Sequence, residues 1–216
     1  PGLAGDVSLV YADYVASGRA LEIVENYIRD AVLPYYANSH TEASFCGSYM
    51  TRLRSEARAE IARMTGADDD CSVIFTGSGA TSGLNRLVGL FGIEAARQPV
   101  VFIGPYEHHS NILPWRESKA TVIEIPQSKT GGVDLEALEA ALIEYQGADL
   151  KIGSFSAASN VTGIVTSPDD ITRLLKKHDA LSVWDYAGGA PYLTIDMSPA
   201  EDTCKDAVVL SPHKFP

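Results

Sequence analysis

Side chains that could do chemistry follow four predicted β-strands, at the point where each strand ends. Two adjacent histidines, His108 and His109, could stack on a planar group or move protons near neutral pH. Asp185 ends the predicted strand 181–185, Lys214 follows the predicted strand 207–211, and a polar turn with Asn160 follows the predicted strand 150–155. Partial desolvation would make the lysine amine a plausible Schiff-base nucleophile. Because ligands of open α/β sheets bind at the carboxyl ends of strands, these side chains are the candidates for a site.

A glycine-rich loop, Gly77 to Gly83, stands between a predicted strand and a predicted helix. Small residues allow close approach of a ligand, and a helix N-terminus favours an anion such as phosphate. The spacing of Gly77, Gly79 and Gly83 is GxGxxxG, which is neither the dinucleotide fingerprint nor a P-loop. The loop by itself is compatible with an anion site or with an ordinary capped turn.

Each of these features also has a structural interpretation. His108 could be a hydrogen-bonded structural residue, and Lys214 a solvated surface charge. Asp185 could cap the turn after it or pair with a cation, and Asn160 could belong to a plain turn. A zinc site is disfavoured because no Cys/His spacing of metal type accompanies the histidines. Together, however, a phosphate-binding loop, a stacking partner, a carboxylate and a lysine match what pyridoxal phosphate (PLP) requires.

The elements that position these residues alternate between short apolar strands and helices. Continuous apolar runs predict strands with both faces covered, and hence a three-layer αβα fold with a mostly parallel central sheet. The predicted strands are 72–76, 100–103, 121–125, 150–155, 181–185 and 207–211, and the predicted helices between them are 81–91, 111–118, 134–145 and 168–178.

Two further helices, 21–36 and 48–64, precede this alternating pattern and flank a polar loop. We therefore expect an N-terminal segment over residues 1–65 and an α/β domain over residues 66–216. The chain starts without Met and stops just after an apolar strand, which suggests a fragment.

Composition limits the classes of partner. The 216 residues carry a net charge of −11, which disfavours nucleic acid and anionic membranes as partners. The three cysteines, Cys46, Cys71 and Cys204, form neither a disulfide framework nor a CxxC pair, so we expect reduced thiols in the cytoplasm. The apolar runs are far shorter than the ~20 residues that cross a bilayer.

Four motifs in this order resemble those of the class V aminotransferases, a family of fold type I PLP enzymes that includes cysteine desulfurases and selenocysteine lyases. The resemblance runs from about Tyr11 to the last residue. The motifs are Glu107-His108-His109-Ser110-Asn111-Ile112-Leu113-Pro114-Trp115, Ser159-Asn160-Val161-Thr162-Gly163, Asp185-Tyr186-Ala187-Gly188 and Ser211-Pro212-His213-Lys214.

The resemblance implies a role for several residues. Lys214 matches the lysine that forms the Schiff base, and His108 the imidazole stacked on the ring and implicated in proton transfer. Asp185 matches the carboxylate on the pyridine nitrogen, and Asn160 the amide near the phenolic oxygen. The residues that match the phosphate-binding group are Gly79, Ala80, Thr81, Ser211 and His213. Asn38 and His40 fall where relatives have an Asn-x-His near the substrate.

Two departures from the family pattern stand out. Gly188 occupies a position where desulfurases commonly have Gln, so one hydrogen bond to the cofactor is not expected. Thr41 and Glu42 replace the Arg-Gly that often follows Asn-x-His, which suggests a different substrate or subfamily. Relatives also continue into a small C-terminal domain that carries the substrate-binding arginine and, in desulfurases, the catalytic cysteine.

The sequence thus predicts a PLP-dependent transferase or lyase that acts on an amino acid, as a homodimer. Transamination, β-elimination with sulfur transfer, and epimerisation share the first half of this chemistry. The alternatives are a non-catalytic PLP-binding fragment or degenerate homologue without the small domain, and a nucleotide-binding oxidoreductase suggested only by the loop at Gly77 to Gly83.

Overall fold

A computed structural model describes residues 5–215 of the chain. Its centre is a five-stranded sheet in which all four strand pairs are parallel, with the order β2-β1-β3-β4-β5. The register of β3 and β4 places Ser156 beside Asp185, at the carboxyl end of both strands. The strands are β1 Pro99–Ile103, β2 Thr121–Glu124, β3 Leu150–Ser156, β4 Leu181–Asp185 and β5 Ala207–Val209.

Helices cover both faces of this sheet, because alternate residues of each apolar strand point to opposite sides. On one face Phe102 and Trp184 pack with Leu138 and Leu175, and on the other Val101 packs in a separate apolar cluster. The predicted three-layer αβα fold is therefore confirmed. The helices are α1 Glu22–Tyr27, α2 Phe45–Met64, α3 Gly79–Leu90, α4 Leu113–Glu117, α5 Leu135–Glu144 and α6 Pro168–Lys177.

The predicted strand at 72–76 is wrong. The segment is extended, but no strand pairs with it among the described residues. It lies across an apolar groove of about 450 Å³ from β5, and Val73, Phe75, Val208 and Leu210 are among the groove's lining residues. Its β-branched and aromatic composition satisfies the packing preference of a strand, whereas strand formation also requires a hydrogen-bonded neighbour.

Of the two predicted N-terminal helices, the second forms as an α-helix and the first is α-helical only in part. The helix predicted over 21–36 begins as α1 and continues as a π-helical turn, Ile28–Val32, and a 3₁₀ turn, Leu33–Tyr35, and none of these turns contains a buried residue. Helix α2 begins three residues earlier than predicted because Ser44 caps it, its hydroxyl accepting a bond from the Gly47 N–H. No helix within residues 5–215 is both long and apolar enough to cross a membrane.

Candidate active site

A cavity of about 490 Å³ lies at the carboxyl ends of β1, β3, β4 and β5. It brings together eight of the residues predicted for the site. These are Ala80, Thr81, His108, Asn160, Asp185, Ser211, His213 and Lys214. The parallel sheet explains the convergence, because the loops that follow its strands all emerge at one edge.

Asp185 is a buried carboxylate in the wall of this cavity. Its Oδ1 accepts a 2.8 Å hydrogen bond from the Ala187 N–H, so the residue does cap the turn that follows β4. Burial raises the pKa of Asp185, while that hydrogen bond and the charges of Lys214 and His108 oppose the rise. Of the two interpretations of this residue, the hydrogen bond supports the turn cap, and the pairing with a cation stays a prediction.

His108 is held by the loop after β1. Its Nδ1 accepts a 3.1 Å hydrogen bond from the Ser110 N–H and lies 3.0 Å from the Ser110 hydroxyl. An Nδ1 that accepts a backbone N–H carries no proton, so in the neutral ring the proton is on Nε2. The Ser110 hydroxyl also pairs with Thr81 Oγ1 at 2.7 Å, which ties the imidazole to the start of α3.

The N-terminus of α3 closes another side of the cavity. Gly79 donates its N–H to Gly77 O, and Ala80 donates to the Ser211 hydroxyl at 3.0 Å. Thr81 is the third residue of this helix, so its N–H has no partner one helical turn back within α3. Free amides at the start of a twelve-residue helix are the groups that bind a phosphate.

Gly79 itself lies behind the cavity wall and is required there sterically. Its φ is +61°, and a Cβ at this position would come within 2.8 Å of Ser211 Oγ and 2.9 Å of His213 Cε1. Both the conformation and the close approach exclude a larger residue. Gly79 thus brings the start of α3 against the turn that carries Lys214.

Lys214 ends a 3₁₀ turn, Pro212–Lys214, that follows β5. Its N–H donates to Ser211 O at 3.0 Å, and its side chain is half-buried at the cavity. Asn160 lies across the cavity on the turn after β3, beside Gly188: a Cβ on Gly188 would be 3.8 Å from that of Asn160.

Beneath the cavity lies a closed polar network that the sequence did not reveal. The carboxylate of Glu107 accepts from the Ser156 N–H at 2.9 Å, the Ser156 hydroxyl at 2.6 Å and Asn111 Nδ2 at 2.6 Å. Asn111 Oδ1 in turn accepts from Trp115 Nε1 and from the Ser154 hydroxyl. Burial raises the pKa of Glu107 to about 7, against the opposing effect of its three donors.

Other residues are placed differently from the prediction. Asn38 and His40 do not line the cavity; they lie in the loop before α2, where Ser39 O accepts a bond from the Thr51 hydroxyl. Their role near a substrate stays a prediction. Conversely, Asp13, Val15 and Ala16 line the cavity, although their segment has no periodicity or motif that singles them out.

The chain is similar to known proteins over nearly its whole length. The family model described as aminotransferase class V matches residues 10–216. A probable cysteine desulfurase of Halalkalibacterium halodurans is 30% identical over 212 residues, which are 96% of this chain and 50% of that protein. A cysteine desulfurase of Plasmodium vivax is 28% identical over 176 residues, which cover 76% of this chain and 31% of that protein.

Solved structures share the fold. An apo cysteine desulfurase from Thermococcus onnurineus superposes with a TM-score of 0.79 at 23% identity, covering 93% of this chain and 49% of that one. A NifS-like protein from Rickettsia africae also gives a TM-score of 0.79, at 22% identity, covering 96% of this chain and 55% of that one. The chain spans about half the length of the curated probable cysteine desulfurases of Halalkalibacterium halodurans and Staphylococcus epidermidis that it matches. On its match to the family model, the chain belongs to the aminotransferase class V family.

Proposed function

We propose that this chain forms the PLP site of an enzyme that acts on an amino acid, with the Schiff base on Lys214. The observation that carries this proposal is the convergence of Lys214, Asp185 and His108 on one cavity from three separate strand ends. An amine, a buried carboxylate and an imidazole are the groups that hold, polarise and stack on a pyridine aldehyde.

The residues around the cavity match PLP in their charges as well as in their chemical groups. The free amide of Thr81, with the hydroxyls of Thr81 and Ser211 nearby, supplies donors for the phosphate. The Asp185 carboxylate accepts from one described donor, the Ala187 N–H, although an ionised carboxylate accepts several. That spare capacity suits the N–H of a protonated pyridine ring.

When bound, PLP supplies an electron sink for the electron pair left when a bond at the substrate α-carbon breaks. The Lys214 amine would be the base that takes the α-proton of the substrate. Asp185 would hold the ring nitrogen protonated, and the hydrogen bond from the Ala187 N–H favours the ionised carboxylate that this task needs. The Nε2–H of His108 would be a further proton donor at the cavity.

The covalent bond to Lys214 is tested by reduction. The protein is incubated with PLP, treated with borohydride and digested, and the modified peptide is identified by mass spectrometry. We expect one reduced pyridoxyl phosphate group on Lys214 and a visible absorbance band that Lys214→Ala abolishes. Lys129→Ala, at an exposed lysine remote from the cavity, should retain both. Labelling that persists without Lys214 would refute the proposal.

Cofactor binding and turnover are separate proposals, because the chain spans about half the length of its relatives. The alternative is a chain that binds PLP without turning over substrate. Incubation of the PLP-loaded protein with cysteine or alanine, with sulfide, pyruvate and pyridoxamine phosphate measured, separates the two. Any product that requires Lys214 excludes the non-catalytic alternative and also identifies the reaction class.

The family resemblance further leads us to propose a homodimer, and the cysteine usage a cytoplasmic protein. The three free cysteines support the second assignment, because thiols stay reduced in the cytoplasm. Light scattering of the purified protein at several concentrations tests the dimer.

A further inference from the structure

The segment Tyr11–Gly18, here called the strap, lies against the turn that carries Lys214. The Gly18 N–H donates to His213 O at 2.8 Å, which joins the end of the strap to the residue before the lysine. The strap also contributes Asp13, Val15 and Ala16 to the cavity wall. It is therefore a part of the cofactor site that comes from the opposite end of the chain.

Contact between the strap and the lysine turn is too close for any side chain at Gly18. A Cβ built on Gly18 would overlap the carbonyl oxygen of Phe215 and would lie 3.3 Å from His213 O. Both of these atoms belong to the backbone, so they cannot move aside as a flexible side chain could. Since Gly18 does not have a positive φ, the requirement for glycine here is the close approach and not the backbone conformation.

Contacts of its first residue, Tyr11, stabilise the conformation of the strap. The Tyr11 hydroxyl is 2.7 Å from Ser17 O and 3.0 Å from Asp13 O, and it donates to this pair of carbonyls. The Arg19 guanidinium stacks over the Tyr11 ring, 4.9 Å from its centroid. These contacts hold Ser17 and Gly18 in place beside the lysine turn.

We infer that Gly18 is a positioning residue for Lys214: the strap fixes the backbone of the 3₁₀ turn so that the lysine amine reaches the cofactor. This inference rests on the proposed function. The His213 ring of this turn also lies close to Gly79, where a Cβ would come within 2.9 Å of His213 Cε1. Gly79 and Gly18 thus restrain the turn through its side chain and its backbone, respectively.

The test compares Gly18→Ala with Gly89→Ala. Gly89 is an exposed position in α3 where a Cβ would meet no atom within 4 Å, so it reproduces the change of residue without the overlap. We expect Gly18→Ala to weaken PLP binding about tenfold or more and to reduce borohydride trapping on Lys214 even at saturating PLP. Gly89→Ala should match the wild-type protein in both measurements.

If Gly18 has a merely structural role, Gly18→Ala will lower the melting temperature and leave trapping on Lys214 complete in the folded fraction. That result would overturn the inference. Circular dichroism measures the folded fraction. If Gly18→Ala does not fold, Tyr11→Phe serves as the test, because it removes the hydrogen bonds of the Tyr11 hydroxyl and adds no volume. Incomplete trapping on Lys214 in this variant supports the inference. Trapping equal to that of the wild type overturns it. Absence of trapping in the wild-type protein would instead refute the proposed function, so the two failures are distinguishable.

Discussion

Two polar clusters occupy the same edge of the sheet and differ in how fully their groups are paired. In the closed network, Glu107 and Asn111 each bind several protein donors or acceptors, and neither of them lines the cavity. In the open cluster, Asp185 and Lys214 face a cavity of about 490 Å³ and have few protein partners. Ser156 belongs to both, since it binds Glu107 and also lines the cavity.

The difference separates polar groups that stabilise the fold from those available to a ligand. A buried network whose members are all satisfied contributes to folding, and removing one member leaves the others unpaired. A carboxylate and an amine kept apart at a cavity contribute little to folding and can bind a small molecule. Substitutions in the first cluster should therefore change stability, and those in the second should change cofactor binding.

The largest expected effect is on the closed network. Asn111→Ala removes one of the three donors of Glu107 and leaves Trp115 Nε1 and the Ser154 hydroxyl without their acceptor. We expect the free energy of unfolding to fall by about 3–5 kcal/mol. Urea denaturation followed by fluorescence measures it. Asn85→Ala, at an exposed asparagine that bonds only Thr81 O, is the control and should change stability by less than about 0.5 kcal/mol. Equal losses in the two variants would contradict the distinction between the clusters.

A second effect depends on pH, through Glu107. Its pKa in the folded protein is about 7, above the ordinary value of 4.5. As the pH rises from about 4.5 to 7, the unfolded carboxyl ionises first, so folding loses about 3 kcal/mol across this window. Glu107→Gln removes this dependence but sets an amide against Asn111 Nδ2. At pH 5 the variant should be less stable than the wild type. At pH 8 the difference in their free energies of unfolding should be smaller by about 3 kcal/mol.

Urea denaturation of both proteins at the two pH values tests this prediction. A constant difference between the wild type and Glu107→Gln would show that the carboxylate does not titrate in the folded protein.

The smallest expected effect on folding is at Asp185. Because burial raises its pKa, the ionised carboxylate opposes folding above that pKa, and Asp185→Asn should make the cofactor-free protein slightly more stable at pH 8. The same change should weaken PLP binding about tenfold, since an amide cannot hold the pyridine nitrogen protonated. Spectroscopic titration with PLP measures the affinity.

Asp149 provides the matched contrast. Hydrogen bonds from the N–H groups of Arg97 and Gln98 lower the pKa of Asp149, which lies away from the cavity. Asp149→Asn should therefore destabilise the protein and leave PLP affinity unchanged. If Asp185→Asn behaved in this way too, the open cluster would be a structural one.

Local sequence predicted most of the elements, because each depends on the period of nearby residues. The run Leu181 to Asp185 formed a strand with the predicted bounds, and α6 ended within one residue of the expected position. The prediction of a strand at 72–76 was wrong. The segment has the composition of a strand, but whether a strand forms also depends on a pairing partner elsewhere in the sheet. Asn38 and His40 do not line the cavity, and their role near a substrate stays a prediction.

The sequence by itself determined the alternation of strands and helices and the placement of Asp185, His108 and Lys214 after separate strands, since those are properties of neighbouring residues. Only the tertiary structure decided that Glu107 accepts a hydrogen bond from Ser156 and that Gly18 lies against the carbonyl of Phe215. These contacts join residues far apart in the chain. Their geometry depends on strand register and loop packing, which no local pattern encodes.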